Sequence, residues 1–421
     1  IGRNESLQIL IGGEDMKRYA LAGASSRGFH MYAVPITEKF KDYAKLVGIF
    51  DINRKRAEYV SNYCGGIPVF EDFDRMIEET GPDCVIVTTI DRYHHEYAIR
   101  AMNAGCDVIV EKPMTIDEEK CKAMLETEKK TGKKIIVTFN YRFGPYVTRI
   151  KELLKEGIIG EILSVDFEWI LDTSHGADYF RRWHRRKENS GGLLVHKATH
   201  HFDVINWWIE EDPEVVFANG TRRFYGPTRE KKGERCLTCN YRDTCEFFVD
   251  YSKDPFMKAF YFDAEDIDGY YRDRCVFSPE IDIEDTMSVT VKYSREAILT
   301  YSLIAYSPYE GWRIAINGTD GRIEAEEFHS GHYVREPNQY IKVFNRKNEI
   351  ITYEIQKATG GHWGADERLQ RMLFIENLPD PLGHMADSRA GAMSIMIGVS
   401  ANKSIATGKA IKIKDLLGDV L

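Results

Sequence analysis

"KRYALAGASSRG", residues 17–28, is an apolar run that ends in a turn of small residues. Four later runs repeat its first half: "YAKLVGIFD" (43–51), "DCVIVTT" (83–89), "CDVIVEKP" (106–113) and "KKIIVTFN" (133–140). Helix-like stretches lie between them, among them "RYHHEYAIRAMNAG" (92–105) and "DEEKCKAMLETEKKTG" (117–132). Short β-rich runs alternating with helices predict βαβ units and a doubly wound parallel sheet. Such a sheet takes its ligand at the carboxyl ends of the strands. The turn "GASSRG" keeps two glycines of a dinucleotide fingerprint, Gly23 and Gly28. Ser25 replaces the middle one; it is small and can donate a hydrogen bond. Arg27, in the same turn, is counted with the cofactor residues. Asp51 ends the second run, where an acid holds adenosine ribose hydroxyls and favours NAD. Arg54 close behind keeps NADP open. In "EKPMT" (111–115), Glu111 and Lys112 sit at the expected carboxyl edge of the sheet. Lys112 either reaches a substrate hydroxyl or pairs with Glu111, and Pro113 suits a cis bond.

A chain of 421 residues exceeds one hydrophobic core and predicts two domains. An apolar share of 43% with 29% charged residues fits an ordinary globular protein. The net charge of -9 argues against a nucleic-acid partner, although "YFRRWHRRKE" (179–188) is locally basic. No apolar run reaches the length of a membrane span. Residues 1–16 read as a leader outside the fold without a secretory pattern, and the expected compartment is the cytoplasm. Past residue 160, "EILSVDFEWI" (161–170), "TMSVTVKYS" (286–294) and "EAILTYSLIAYS" (296–307) alternate apolar and polar residues. They predict a largely antiparallel sheet, extended by a hairpin in "INGTDGRIEAEE" (316–327).

"GGLLVHKATHHFDVINWW" (191–208) carries three histidines within six residues. On one continuous helix, His196 and His200 share a face. That spacing suits a metal, with Asp203 or His184 as a third ligand, but Lys197 would oppose a dication. It equally suits proton transfer. A second cluster, "CLTCNYRDTC", supplies Cys236, Cys239 and Cys245, and Cys275 follows. Four thiols predict a structural zinc, with an iron–sulfur cluster as the alternative and unmetallated thiols as the plain reading. Cys64, Cys84, Cys106 and Cys121 are scattered and read as buried thiols.

Several stretches occur together and in order: "GASSRG", "FDIN", "TTIDRYHHEYAIRAMNAGCDVIVEKPMT", "FNYRF", the histidine segment, and "GVSANKSIATGKAIKI" (398–413). Together they resemble the GFO/IDH/MocA oxidoreductases, the group of glucose–fructose oxidoreductase and inositol dehydrogenase. The resemblance implies an NAD(P)-binding Rossmann domain over 17–140 and an α/β domain over 141–421, the latter interrupted by a cysteine-bearing insertion at about 224–280. It also implies a homo-oligomer acting on sugars or cyclitols. By motif, Thr89, His94, Lys112 and Asn140 fall to the nicotinamide end, and Arg142 to the interdomain cleft. Trp183, His184 and His362 are expected on the substrate side. The family's segment usually reads G-G-x-x-x-D-x-x-x-H, so His200 takes the catalytic histidine position and His196 stands where aspartate is usual.

The resulting expectation is hydride transfer between NAD and a secondary alcohol of a sugar or cyclitol. His200, Lys112 and His196 share the proton. Two alternatives stay open. One is a redox-neutral glycoside cleavage through transient oxidation, elimination and water addition. The other is a nucleotide-binding sensor without chemistry.

Overall fold

The computed structural model describes residues 16–331, 334, 337–418 and 420. The expected leader therefore lies, apart from Met16, outside the described residues. The five apolar runs form strands β1 (Lys17–Ala22), β2 (Ala44–Phe50), β4 (Cys84–Val87), β5 (Asp107–Glu111) and β6 (Ile135–Thr138). A two-residue β3 (Val69–Phe70) follows β2. All six are parallel in the order β6-β5-β4-β1-β2-β3. The inner strands are apolar because helices cover both faces: β4 is buried along its whole length. The helices start where side chains cap free N–H groups. Asn53, Asp72 and Asp117 accept from the backbone of Arg56, Arg75 and Lys120.

The second half builds a nine-stranded sheet from β7 (Ile162–Asp172), β8 (Pro213–Thr221), β9 (Thr286–Tyr293), β10 (Ile298–Ser307), β11 (Gly311–Gly318), β12 (Gly321–Phe328), β13 (Asn338–Asn345), β14 (Ile350–Gln356) and β16 (Ile411–Lys412). The order is β14-β13-β12-β11-β7-β10-β9-β8-β16, antiparallel except for the β7–β10 pair. One further strand, β15 (Ala386–Asp387), leaves this half of the chain and pairs antiparallel with β6. It thus completes the edge of the first sheet with a segment from the second half of the chain. No helix among the described residues is long and apolar enough to cross a membrane.

The histidine segment departs from one continuous helix. A short helix, Leu193–His196, ends at Lys197, and a second, Thr199–Ile209, begins after Ala198. Ala198 N–H reaches back to Leu193 O, and His201 N–H bonds to Ala198 O only three residues back. The hydrogen-bond register resets between the two histidines, so helical spacing does not relate them. The helix Ser388–Thr407 holds this segment in place. A Cβ at Gly398 would lie 2.3 Å from Leu194 O, so only glycine admits the approach.

The turn Asn140–Phe143 leads out of β6 into the second half. Arg142, expected at the cleft, instead turns inward. Its Nε and Nη2 fork onto Asp203 at 2.7 and 2.6 Å, and Nη1 donates to Gly383 O. Both side chains are almost fully buried. A fork of this kind is strong while both partners remain, and costly when one goes. Asp203→Ala should cost about 3–5 kcal/mol, because it strands the Arg142 charge in the core. Urea unfolding should show this, whereas truncating the half-exposed Arg313 should shift the midpoint little.

Candidate active site

A cavity of about 690 Å³ lies where the carboxyl ends of the parallel strands face the second domain. At one end it is lined by Gly23, Ser25, Arg27, Asp51 and Thr89; in the middle by His94, Glu111, Lys112 and Asn140; at the other end by Trp183, His184, His196, Lys197 and His200, with His362 nearby. The structure therefore gathers the residues expected at the cofactor and the chemistry except Gly28, which packs against Thr88 and Gly23 beneath the turn, and it leaves out Arg142 alone among the expected substrate residues.

The first turn packs hard against the end of β4. Gly23 has φ +102°, and a Cβ there would meet Thr88 C and Thr89 N at 2.7 Å. Asp51 accepts the Ala24 N–H at 2.7 Å and the Asn53 N–H at 2.6 Å, with Arg56 at 3.3 Å. Burial pushes its carboxyl up, against the pull of Arg56 and the two N–H groups. Glu111 does not pair with Lys112: it takes Arg27 Nε at 2.8 Å and the Tyr32 hydroxyl at 2.6 Å. His94 lies 2.8 Å from Pro113 O and 3.1 Å from Thr89 O, bracing one loop against the other. The Lys112–Pro113 bond is cis. Asn140 donates to Asp366, and its buried Oδ1 has no donor among the described residues. A dinucleotide fits this set: an acid at the ribose end, a glycine-packed turn, and an acceptor awaiting a ligand N–H.

The chemistry centres on a three-residue array. Lys112 Nζ donates to His196 O at 3.0 Å and lies 3.5 Å from His196 Nε2. On the far side of the ring, His196 Nδ1 meets Asp91 Oδ2 at 2.5 Å. Asp91 follows β4, in the Rossmann half of the chain. A proton on Nδ1 towards Asp91 leaves Nε2 as the acceptor facing Lys112. Burial drives the Asp91 carboxyl well up, against the pull of Lys112, and drives His196 well down. Burial lowers Lys112 to about 8, with attraction from Asp91 opposing and repulsion from Lys197 adding. His200 and His184 are also driven well below the usual histidine range, first by burial and then by nearby cations. The Nδ1 atoms of both are buried without a partner among the described residues. Trp183 stacks on His184 at 3.7 Å, and His184 leans on His196 at 4.2 Å.

Other residues at this site were not singled out in the sequence. Asp91 stands inside the "TTIDRYHH" stretch, one residue past the strand-end pair, and no spacing rule connects it to His196. Tyr179, His175 and Glu310 form a chain: the Tyr179 hydroxyl is 3.0 Å from His175 Nε2, and His175 Nδ1 is 3.0 Å from Glu310. Tyr261, Asp268 and Tyr270 of the insertion also line the cavity.

The expected metal centre is not assembled. Cys236, Cys239, Cys245 and Cys275 surround one small recess with Phe247, Phe277, Arg181 and Arg242. Yet among the described residues no group of three or more His, Cys, Asp or Glu is placed to hold a metal ion. All eight cysteines are free. Burial pushes the Cys236 thiol up, against the pull of Arg181, whose Nη1 lies 3.4 Å from it. The Cys239 sulfur accepts the Tyr241 N–H. The reading of His196 and His200 as a zinc pair meets the same negative result.

Residues 17–139 match the NAD-binding Rossmann-fold model, and residues 151–413 the C-terminal alpha/beta-domain model, of the oxidoreductase family GFO_IDH_MocA. The chain belongs to the GFO/IDH/MocA family. It is 39% identical to YteT of Bacillus subtilis (strain 168) over 95% of this chain and 99% of that one. It is 29% identical to glucose-6-phosphate 3-dehydrogenase of the same organism, over 49% of this chain and 64% of that one. Among solved structures, myo-inositol 2-dehydrogenase of Lactobacillus plantarum superposes with a TM-score of 0.64 at 18% identity, covering 94% of this chain and 99% of that one. An oxidoreductase of Agrobacterium radiobacter, in complex with NAD+, L-tartaric acid and magnesium, gives 0.65 at 17%, covering 95% and 99%. At those identities the structures establish the fold, while the family establishes an NAD(P)-dependent dehydrogenase. His196, the residue expected to stand in an aspartate's place, has Asp91 behind its ring.

A base works in its unprotonated form, so the amine at Lys112 gains capacity as pH rises. Alcohol oxidation should climb towards a plateau with an inflection near pH 8 in a kcat/KM profile. Asp91→Asn removes the attraction that holds the ammonium, so its inflection should move to lower pH.

Proposed function

We propose that the protein transfers hydride between NAD and a secondary alcohol of a sugar or cyclitol, with Lys112 as the group that takes and returns the alcohol proton. The observation that carries this reading is the Lys112–His196–Asp91 array, set beside His200 in the cavity that also holds the fingerprint turn and Asp51. Bound NAD would supply the hydride acceptor. The chain supplies the rest. Asp51, Gly23 and Ser25 would hold the adenosine and pyrophosphate end, and Asn140 and His94 the nicotinamide end. Lys112, with its ammonium lowered to about 8, passes between acid and base near neutral pH. His196, backed by Asp91, fixes the direction of the lysine amine and offers it an acceptor. His200, driven to its neutral form, presents a ring nitrogen to the substrate side. The walls keep water from the reacting carbon: His184 and His196 are buried and Trp183 covers them. The related proteins named glucose-6-phosphate 3-dehydrogenase and myo-inositol 2-dehydrogenase support a ring hydroxyl as the reacting group.

One observation favours the redox-neutral alternative as a second reading. The Tyr179–His175–Glu310 chain is a second proton-handling set on the same cavity, and simple oxidation does not need it. Burial raises Glu310, and hydrogen bonds from His175 and His329 more than offset this, keeping it ionised and able to orient His175.

Purified enzyme with NAD+ and a panel of sugars, cyclitols and glycosides separates the two. Net oxidation should build NADH in proportion to the keto product, and Lys112→Met should lower that rate by about 10²- to 10⁴-fold with NAD+ affinity kept. Aglycone release without NADH would assign the second reading. Neither signal, with NAD+ bound, would refute both.

A further inference from the structure

Five cationic side chains line the cavity: Arg27, Arg56, Lys112, Arg182 and Lys197. Four of them are engaged by the protein itself. Arg27 holds Glu111 and Asp366, and Arg56 holds Asp51 and Asp268. Lys112 donates to His196 O. Arg182 binds Asp178 at 2.7 Å and the Tyr270 hydroxyl at 2.8 Å. Lys197 is different. Its ammonium has no hydrogen-bonded or ion-paired acceptor among the described residues, and sits 4.7 Å over the face of Trp169. Glu310 pulls on it only through space, because that carboxylate is taken by His175 and His329. A cation–π contact orients an ammonium but does not replace an anionic partner. A half-buried charge without an anionic partner is unfavourable, so a ligand that fills the cavity gains by bringing the missing negative charge.

The position of Lys197 says where that charge would lie. It follows His196 directly, lines the same cavity as His196 and His200, and its charge acts on both rings. We propose that the substrate is a carboxylated sugar, a uronic acid or a saccharide that ends in one, and that Lys197 binds its carboxylate and sets which ring hydroxyl meets Lys112. This names the substrate class of the dehydrogenase reading above and rests on it. A phosphate ester fits less well. It carries about -1.5 to -2 charges and three acceptor oxygens, and the three arginines of the wall are already ion-paired. The neighbouring histidines are driven to their neutral forms and add no further charge. A single ammonium above an indole face matches one carboxylate on a sugar ring.

The test uses full-length enzyme loaded with NAD+ and matched probes: galacturonate with galactose, glucuronate with glucose, and glucose 6-phosphate. Calorimetric binding and NADH formation are read together. Each uronate should bind at least about 10-fold more tightly than its neutral partner, the size of one charge-assisted hydrogen bond. Lys197→Met should erase that discrimination with NAD+ affinity unchanged, and Lys197→Arg should keep most of it. Should Lys197→Met fail to fold, as judged by its melting temperature, Lys197→Gln and the wild-type uronate-to-neutral ratio still decide. Neutral sugars that bind as well as uronates and reduce NAD+ would overturn the carboxylate proposal and leave the dehydrogenase standing. Glucose 6-phosphate binding more tightly than either uronate would overturn it in favour of a phosphate. No binding and no NADH with any probe would overturn both readings.

Discussion

The contact between Asp91 and His196 is the constraint on which the rest of the site depends. Asp91 sits at the carboxyl edge of the parallel sheet, and His196 at the end of a short helix that packs on the helix Ser388–Thr407. Their 2.5 Å hydrogen bond fixes the ring, and the ring fixes the direction of Lys112. A buried array of this kind is worth more than its separate bonds, because each member sets the proton position of the next. It also couples the two halves of the chain at the point where hydride must pass. The fork between Arg142 and Asp203, Gly398 against Leu194, and β15 on the edge of the first sheet all hold the two halves in that relation.

Charge is distributed with the same economy. Carboxylates near the cofactor end are matched by arginines, so Asp51, Glu111 and Asp366 each have a guanidinium. Towards the substrate, burial first and nearby cations second drive His184, His196 and His200 well below the usual histidine range. Neutral imidazoles can accept as well as donate, which proton transfer requires. Burial first, and repulsion from Lys197 after it, lowers Lys112 into a useful range against the attraction of Asp91.

How much of this was legible in the sequence follows from what each feature depends on. The five parallel strands were visible because a strand buried on both faces is apolar throughout and ends at a turn. Strands β3 and β15, two residues each, carry no such pattern and exist only through their neighbours. The fingerprint turn, Asp51 and Lys112 were visible because backbone geometry fixes their place after a strand. Asp91 was not, since its partner lies far along the chain. The histidine segment misled in one respect. It contains no glycine or proline between His196 and His200, yet its hydrogen bonds reset there under packing from the helix Ser388–Thr407. Arg142 likewise looked like a cleft residue, because an arginine after a strand gives no sign of a buried acid that accepts it.

The insertion shows most clearly how packing can replace the device a sequence suggests. Its four cysteines and sparse apolar content pointed to a metal as the source of order. The structure draws order from the first domain instead. Phe256 and Phe260 pack on Phe29 and Tyr59, the Tyr261 hydroxyl accepts the Ser26 N–H at 3.0 Å, and Asn53 donates to Ala264 O at 2.8 Å. Asp268 closes on Arg56, the partner of Asp51. These contacts lie along the adenosine end of the cleft and involve the fingerprint turn itself. Any ligand that prefers the docked insertion must stabilise it by the same free energy that the insertion lends to binding.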